Sequence, residues 1–186
     1  FALFASLGLA AIRESFDNVF HNENEIEDSL KSLNIPLLGS IPYIETKDNS
    51  INSDSNVGDF VTSEAFRNLT TSIRFLSIND KESKIFLITS TNQAEGKTTI
   101  TSLLGKTFAD LGQKVLIVDA DLRRPSVHKF FEKDNIIGLS NLITDTKLNL
   151  KKIVKNTNFN NLDIMTAGIK PPDPVFLLSS ERMKLI

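Results

Sequence analysis

The stretch Ile85-Phe86-Leu87-Ile88-Thr89-Ser90-Thr91-Asn92-Gln93-Ala94-Glu95-Gly96-Lys97-Thr98-Thr99 decides the fold. Ile85 to Ile88 form a short continuous apolar run, the pattern of a strand buried on both faces. A polar loop follows. From Thr98 to Leu111 the apolar residues Ile100, Leu103, Leu104, Phe108 and Leu111 recur at helical spacing, and Gly112 is the expected residue just past the helix end. Strand, Gly-Lys-Thr loop and helix in that order are the setting of a phosphate-binding loop, whose template is Gly, four residues, then Gly-Lys-Ser/Thr. Thr91 stands where the first Gly would be, so this loop is a variant. The plainer reading is a polar strand-to-helix turn with an incidental Gly-Lys-Thr; the apolar run before it and the amphipathic run after it weigh against that.

The chemistry of triphosphate binding asks for these residue types. Backbone N–H groups from Asn92, Gln93, Ala94 and Glu95 through Gly96 to Thr99 would face phosphate oxygens, helped by the positive end of the following helix. Gly96 lets the backbone approach a ligand without a Cβ in the way. Lys97 would place a mobile positive charge on the β- and γ-phosphates. The Thr98 hydroxyl would serve as a Mg²⁺ ligand.

Working outward, Val115-Leu116-Ile117-Val118 reads as a second buried strand and ends in Asp119-Ala120-Asp121. In open α/β sheets ligands bind beyond the carboxyl ends of strands, so this acidic tip and the phosphate loop are expected at one edge. Carboxylates there would hold Mg²⁺ directly or through water. A lone Asp-x-Asp after a strand is otherwise a turn or cap; the neighbouring loop favours the metal reading. Short helices are expected over Ser126 to Phe131 and Leu139 to Ile143, and a third strand over Leu162 to Met165. Strands alternating with helices predict an α/β protein, a P-loop NTPase-like parallel sheet flanked by helices.

Upstream of the loop, a helix is expected from Thr62, with Ala65, Phe66, Leu69, Ile73 and Leu76 on one face. Thr46 to Gly58 is polar and rich in Asn, Ser and Asp, as a linker is. Asn22 to Leu33 reads as a short acidic helix, and Ile35 to Pro42 as an extended, proline-punctuated piece. Phe1 to Ile12 is uncharged, but its 12 residues are too few to cross a bilayer alone. Two readings stay open for it, the end of a transmembrane helix or a short core helix. The chain opens on Phe1 rather than Met, so an upstream part is expected. These features divide the chain into 1–20, the uncharged run and its continuation; 21–60, a mixed segment and linker; and 61–186, the P-loop domain. Near the other end, Leu177 to Ile186 reads as a helix start with Ser179 or Ser180 as N-cap.

Composition narrows the function classes. Of 186 residues, 40% are hydrophobic and 24% charged, the mix of a folded globular chain rather than a disordered one. Lys and Arg number 21 against 23 Asp and Glu, for a net charge of −2, so a globally basic nucleic-acid binder is not expected. With no cysteine, disulfides, thiol nucleophiles and Cys-ligated metals are excluded. The histidines His21 and His128 are isolated and are read as surface or packing residues. Lys151, Lys152 and Lys155 are read as a solvated face.

With these residues in view, the chain resembles the bacterial tyrosine kinases of exopolysaccharide and capsule assembly, which share a deviant P-loop fold with the partition ATPases. Asn34 to Tyr43 (NIPLLGSIPY) is similar to the family's juxtamembrane "IPxLGxIP" segment, and Glu64 to Leu76 (EAFRNLTTSIRFL) to its "EAFRxLRTNIRFL" helix. Gly168 to Leu178 (GIKPPDPVFLL) is near "GxxPPNPxELL". The resemblance implies an ATP-dependent protein-tyrosine autokinase that regulates polysaccharide chain length or export. Lys97, Asp119 and Asp121 would be catalytic, with Thr98, Asp119 and Asp121 on Mg²⁺, and Asp119 would help deprotonate the incoming tyrosine. It also implies a homo-oligomer phosphorylating tyrosines in trans, a membrane co-polymerase module and export machinery as partners, and a kinase domain on the cytoplasmic side of the bacterial inner membrane. It favours the membrane-helix reading of Phe1 to Phe20, and so implies that 1–20 is the end of a membrane helix with its continuation and 21–60 a juxtamembrane segment and linker.

Departures from the family pattern are specific. Asn92 occupies the place of the partition ATPases' signature Lys, which favours the kinase branch over a partition-type ATPase switch. Thr70 replaces the second Arg of the Glu-x-x-Arg-x-x-Arg helix, which bears on ring assembly. The Walker B aspartate and the acceptor tyrosine cluster are expected beyond Ile186. The single tyrosine, Tyr43, is expected to pack rather than accept phosphate. A non-catalytic chain-length regulator with a scaffold nucleotide domain is the other rival.

Overall fold

The structure is a computed structural model, and it describes residues 22–43, 58–76 and 83–186. The expected membrane-helix end (1–20) and nearly all of the expected linker lie outside those residues. The chain divides into two units, residues 1–40 and 41–186. In the first, helix α1 (Glu23–Ser32) opens on Asn22, whose side chain accepts from the Glu25 amide at 3.0 Å, an N-cap that the sequence places well. No described helix is long and apolar enough to cross a membrane. Residues 35–43 form neither helix nor ladder. Tyr43 is 91% exposed, a correction to the expectation that it packs. The described residues that lead to it, 35–42, offer no regular face for the ring to lie against.

In the second unit, α2 (Gly58–Phe75) and α3 (Lys97–Asp110) pack against each other. They precede β1 (Val115–Val118), α4 (Val127–Phe130), α5 (Leu139–Thr144), α6 (Leu150–Ile153), β2 (Lys155–Asn156), β3 (Leu162–Met165), α7 (Pro174–Leu178) and α8 (Glu181–Lys184). The sheet order is β1-β3-β2. β1 runs parallel to β3 with Val115 opposite Leu162 and Val118 opposite Met165, while β2 runs antiparallel. β3 is the central strand, and its side chains alternate into two cores as a strand's must. Leu162 and Ile164 join Ala109, Ile117, Val127 and Phe131 on one face. Met165 joins Leu122, Leu139, Leu142, Ile143 and Ile153 on the other.

Small residues set how closely α3 lies on the sheet. Ser102, Leu104, Gly105 and Ala109 are its buried positions. A Cβ on Gly105 would sit 2.7 Å from Ile117 Cδ1, so the helix rides directly on β1. Leu111, expected in the core, is instead the C-cap residue and 47% exposed. Beyond it Gly112, at φ 82°, donates to Ala109 O, and Gln113 donates to Phe108 O, closing the helix in a Schellman turn as the glycine suggested. On α2, Phe66 and Thr70 are the buried pair, and the Thr70 hydroxyl donates to Phe66 O at 2.7 Å. Thr70 is fully buried, so the long charged side chain that the family pattern carries there would have no room in this chain.

The run before the loop departs from expectation. Residues 83–90 form no helix and pair with no described strand. Exposure alternates: Ile85 is 97% and Leu87 87% exposed, while Phe86 stacks on Phe108 of α3 with ring centroids 6.0 Å apart. A run buried on both faces needs a layer on each side, and α3 supplies one. Similarly, β1 is only half covered, with Leu116 and Val118 more than 40% exposed. Lys155 is not part of a solvated face: its ammonium meets Asp134 Oδ1 at 2.6 Å and the Asp134 carbonyl at 2.7 Å. Downstream, Asp173 caps α7 by accepting from the Phe176 amide, with Pro174 in the first turn, and Ser180 caps α8 by accepting from Met183.

Candidate nucleotide site

The loop between residue 90 and α3 turns on two left-handed positions, Ala94 at φ 63° and Gly96 at φ 81°. Glycine takes such a φ freely; alanine does so at a cost, which places stored strain inside the loop. Successive N–H groups around left-handed residues form the concave shape that binds anions. Gly96 is the N-cap of α3 and offers no side-chain cap, so the first-turn amides of Lys97, Thr98 and Thr99 are not closed off by a capping side chain. A Cβ at Gly96 would meet only Ile100 Cγ1, at 3.9 Å.

Inside the loop, Glu95 folds back on Asn92. Its carboxylate accepts from the Asn92 backbone N–H and side-chain amide, each at 2.9 Å, and the backbone bond is the main cause holding the Glu95 pKa below its usual value. Lys97 also turns onto its own loop, donating to Ser90 Oγ at 2.6 Å and to the Asn92 carbonyl at 3.0 Å. Both hydrogen-bond acceptors are uncharged, and the Glu95 carboxylate lies close enough to feel the Lys97 charge. Gln93 is exposed and makes no described side-chain hydrogen bond. Ser90 was not singled out by sequence, although its place at the end of the apolar run puts it within a lysine's reach of the loop.

The acidic tip of β1 is built differently from a bare pair of metal ligands. Asp119 is buried, at 4% exposure. Its Oδ1 accepts from the Asp121 amide, and its Oδ2 accepts from the Ser126 and Val127 amides, all at 3.1 Å. Burial pushes its carboxyl pKa up, and the three amides pull against that. Asp119 therefore folds the 119–127 loop and orients the start of α4. Asp121 is exposed, and its Oδ1 accepts from the Arg123 and Arg124 amides, leaving Oδ2 without a described hydrogen bond. The two arginines thus enter the site as backbone donors. Among the described residues no three acidic or histidine groups cluster as a ready metal site. A magnesium ion carried in with phosphates needs only one or two carboxylates and a hydroxyl.

One contact joins the two halves. Thr98 Oγ1 and Ser126 Oγ share a hydrogen bond of 2.5 Å, and Ser126 N is itself bound to Asp119. The Gly-Lys-Thr turn and the acidic strand tip therefore lie side by side. His128 is half-buried with Nδ1 lacking a partner, and burial lowers its pKa.

Replacing Asp119 with Ala should cost about 2–4 kcal/mol of stability, because two loop amides and one helix-start amide lose a charged acceptor. Urea denaturation measures this. A loss under 1 kcal/mol would mean that the loop does not rely on the carboxylate.

Comparison with known proteins gives a consistent picture. No family model matches the chain. It is 41% identical over 124 residues to tyrosine-protein kinase YwqD of Bacillus subtilis, covering 67% of this chain and 52% of that protein. It is 40% identical to the putative tyrosine-protein kinase CapB of Staphylococcus aureus, covering 67% and 54%. The chain thus spans about half the length of these relatives. Among solved structures, the chimerical protein CapA2B2 superposes with a TM-score of 0.71 at 30% identity, covering 88% of this chain and 68% of that one. The kinase domain of Escherichia coli ETK gives 0.71 at 30% identity, covering 84% and 65%. An α/β sheet carrying a variant Gly-Lys-Thr loop against an Asp-x-Asp strand tip, on a backbone shared with these kinases, makes this chain a member of the bacterial tyrosine-kinase family.

Proposed function

We propose that the chain is the nucleotide-handling part of an ATP-dependent protein-tyrosine autokinase that regulates exopolysaccharide or capsule chain length or export. The observation that carries this reading is the Thr98–Ser126–Asp119 linkage, which sets the Lys97 loop against the acidic strand tip. The open N-terminus of α3 and the uncharged partners of Lys97 fit a bound triphosphate.

Phosphoryl transfer relies on positioning and charge neutralisation rather than on covalent chemistry by the protein. Loop amides around Gly96 hold phosphate oxygens, and Lys97 leaves Ser90 and Asn92 to stabilise β/γ charge. Magnesium, when bound, neutralises phosphate charge; Thr98 and Asp121 are the side chains to hold it, and Asp119 contributes through the loop it folds or through water. A role for Asp119 as base toward tyrosine rests on its placement, since its oxygens already accept three amides. The acceptor tyrosine comes from a neighbouring subunit in a homo-oligomer. A membrane co-polymerase module holds the kinase at the cytoplasmic face of the inner membrane.

The test is phosphotyrosine formation by the full-length protein supplied with ATP and Mg²⁺, read by phosphotyrosine-specific antibody alongside phosphate release. Phosphotyrosine is the expected product. Phosphate release without it would replace this reading with a partition-type switch. Nucleotide binding with neither would indicate a non-catalytic regulator.

A further inference from the structure

We propose that Ser126 is a positioning residue of the nucleotide site, acting through Thr98. This rests on the proposed nucleotide reading and adds to it a residue that no motif marks.

Ser126 has almost no freedom of its own. Its N–H donates to Asp119 Oδ2 at 3.1 Å, and its carbonyl accepts from Lys129 at 3.1 Å and Phe130 at 3.4 Å. Backbone on both sides is thus fixed, and the preceding Pro125 further restricts the chain. The remaining polar group is the hydroxyl, which is spent on Thr98, 28 residues away, at 2.5 Å.

The partner needs such a restraint. Threonine in a helix splits between two χ1 rotamers, because its Oγ1 can bond back to a carbonyl of the preceding turn. Thr101 and Thr107 of the same helix do bond back, to Lys97 O at 2.8 Å and Leu103 O at 2.9 Å. Thr98, the second residue of α3, has no preceding helical turn to bond back to, so nothing within the helix fixes its rotamer, and its hydroxyl turns to Ser126 beside the acidic loop. Ser126 selects that orientation and keeps the Thr98 oxygen on the side where Asp119 and Asp121 lie. Because Ser126 is anchored to Asp119, the same bond couples the position of α3 to that of the acidic loop. A residue that orients a metal-binding side chain without itself touching the ion acts through its hydrogen bond, which here is made by the Ser126 hydroxyl.

The experiment compares Ser126→Ala, Ser126→Thr and Ser126→Val with the native residue in the full-length protein. Affinity for a fluorescent ADP is measured in Mg²⁺ and in EDTA, with thermal denaturation run in parallel. Ser126→Ala should weaken binding in Mg²⁺ by about three- to tenfold, the size of one lost hydrogen bond, and change binding in EDTA by less than about twofold. Ser126→Thr should restore the Mg²⁺-dependent affinity, and Ser126→Val should not. The Thr and Val variants match in shape, so their contrast isolates the hydroxyl even if the Ala variant is unstable. Equal affinity across all variants would overturn the proposal, as would equal weakening in Mg²⁺ and EDTA, which marks plain structural support. If the native protein binds no nucleotide under either condition, the nucleotide reading itself falls and the role of Ser126 falls with it.

Discussion

Replacing Lys97 with Met should lower phosphotyrosine formation by the full-length protein by about 100- to 1,000-fold, the usual effect of removing one charge-stabilising donor from a transfer site. The fold should survive. Lys97 is the first residue of α3 and its ammonium bonds only to Ser90 Oγ and the Asn92 carbonyl in this structure. Met matches the length of the lysine stem and has comparable helix propensity. Losing two hydrogen bonds to uncharged loop atoms, one part-buried and one exposed, is a small cost beside losing the positive charge. The measurement is an antibody blot for phosphotyrosine, paired with a urea midpoint to show that folding is intact. Phosphorylation that persists at the native level would remove Lys97 from the mechanism.

Gly138→Ala should destabilise the second unit by about 4 kcal/mol or more, or prevent it from folding, since no common relaxation relieves the clash. A Cβ at Gly138 would sit 2.0 Å from Thr166 O and 2.4 Å from Gly168 N. Both are backbone atoms. They belong to the seam where Leu139 donates to Thr166 O at 2.8 Å and Ser140 to Ala167 O at 2.9 Å. The seam is also pinned by Asn141, whose Oδ1 accepts from Gly138, and by Asn135, which holds both the N–H and the carbonyl of Gly168. Moving either backbone would break several of these bonds together. Gly112→Ala is the informative contrast: nothing lies within 4 Å of its Cβ, and the sole penalty is its φ of +82°. That variant should lose about 1–2 kcal/mol. Comparable losses at the two positions would refute the steric account of Gly138.

The contrast between the two glycines shows where sequence was informative. Gly112 could be read as a helix end because the preceding apolar spacing stopped there, and local chemistry decides such a turn. Gly138 carried no signal, because its demand comes from Thr166 and Gly168, which are distant in the chain. The same division runs through the candidate site. The Gly96-Lys97-Thr98 turn and the Asp119/Asp121 tip were legible, since spacing and strand context define them. Ser126 was not, because a serine announces nothing until its partner across the fold is known, and Ser90, seven residues before Lys97, stands at a position that the motif does not mark. Nor could the pattern tell that Asp119 would spend its oxygens on backbone amides. The apolar run before the loop misled in a different way. Hydrophobicity states that a segment seeks cover but not from how many sides, and residues 85–88 found cover on one side, through Phe86 and Phe108.

The register of the sheet has a consequence for synthesis of the protein. Val115 of β1 aligns with Leu162 of β3, and the Asp119 amide donates to Met165 O, so the acidic tip is braced by a strand made much later. As the polypeptide emerges from the ribosome, the Gly-Lys-Thr turn and Asp119 are exported well before the strand that fixes them. Parallel pairing over such a separation is slow to form, because the intervening chain must first be brought to order. During translation the nascent chain therefore passes through a period with the Gly-Lys-Thr turn and the Asp119 tip outside the tunnel while the strand that braces the tip is still to be made.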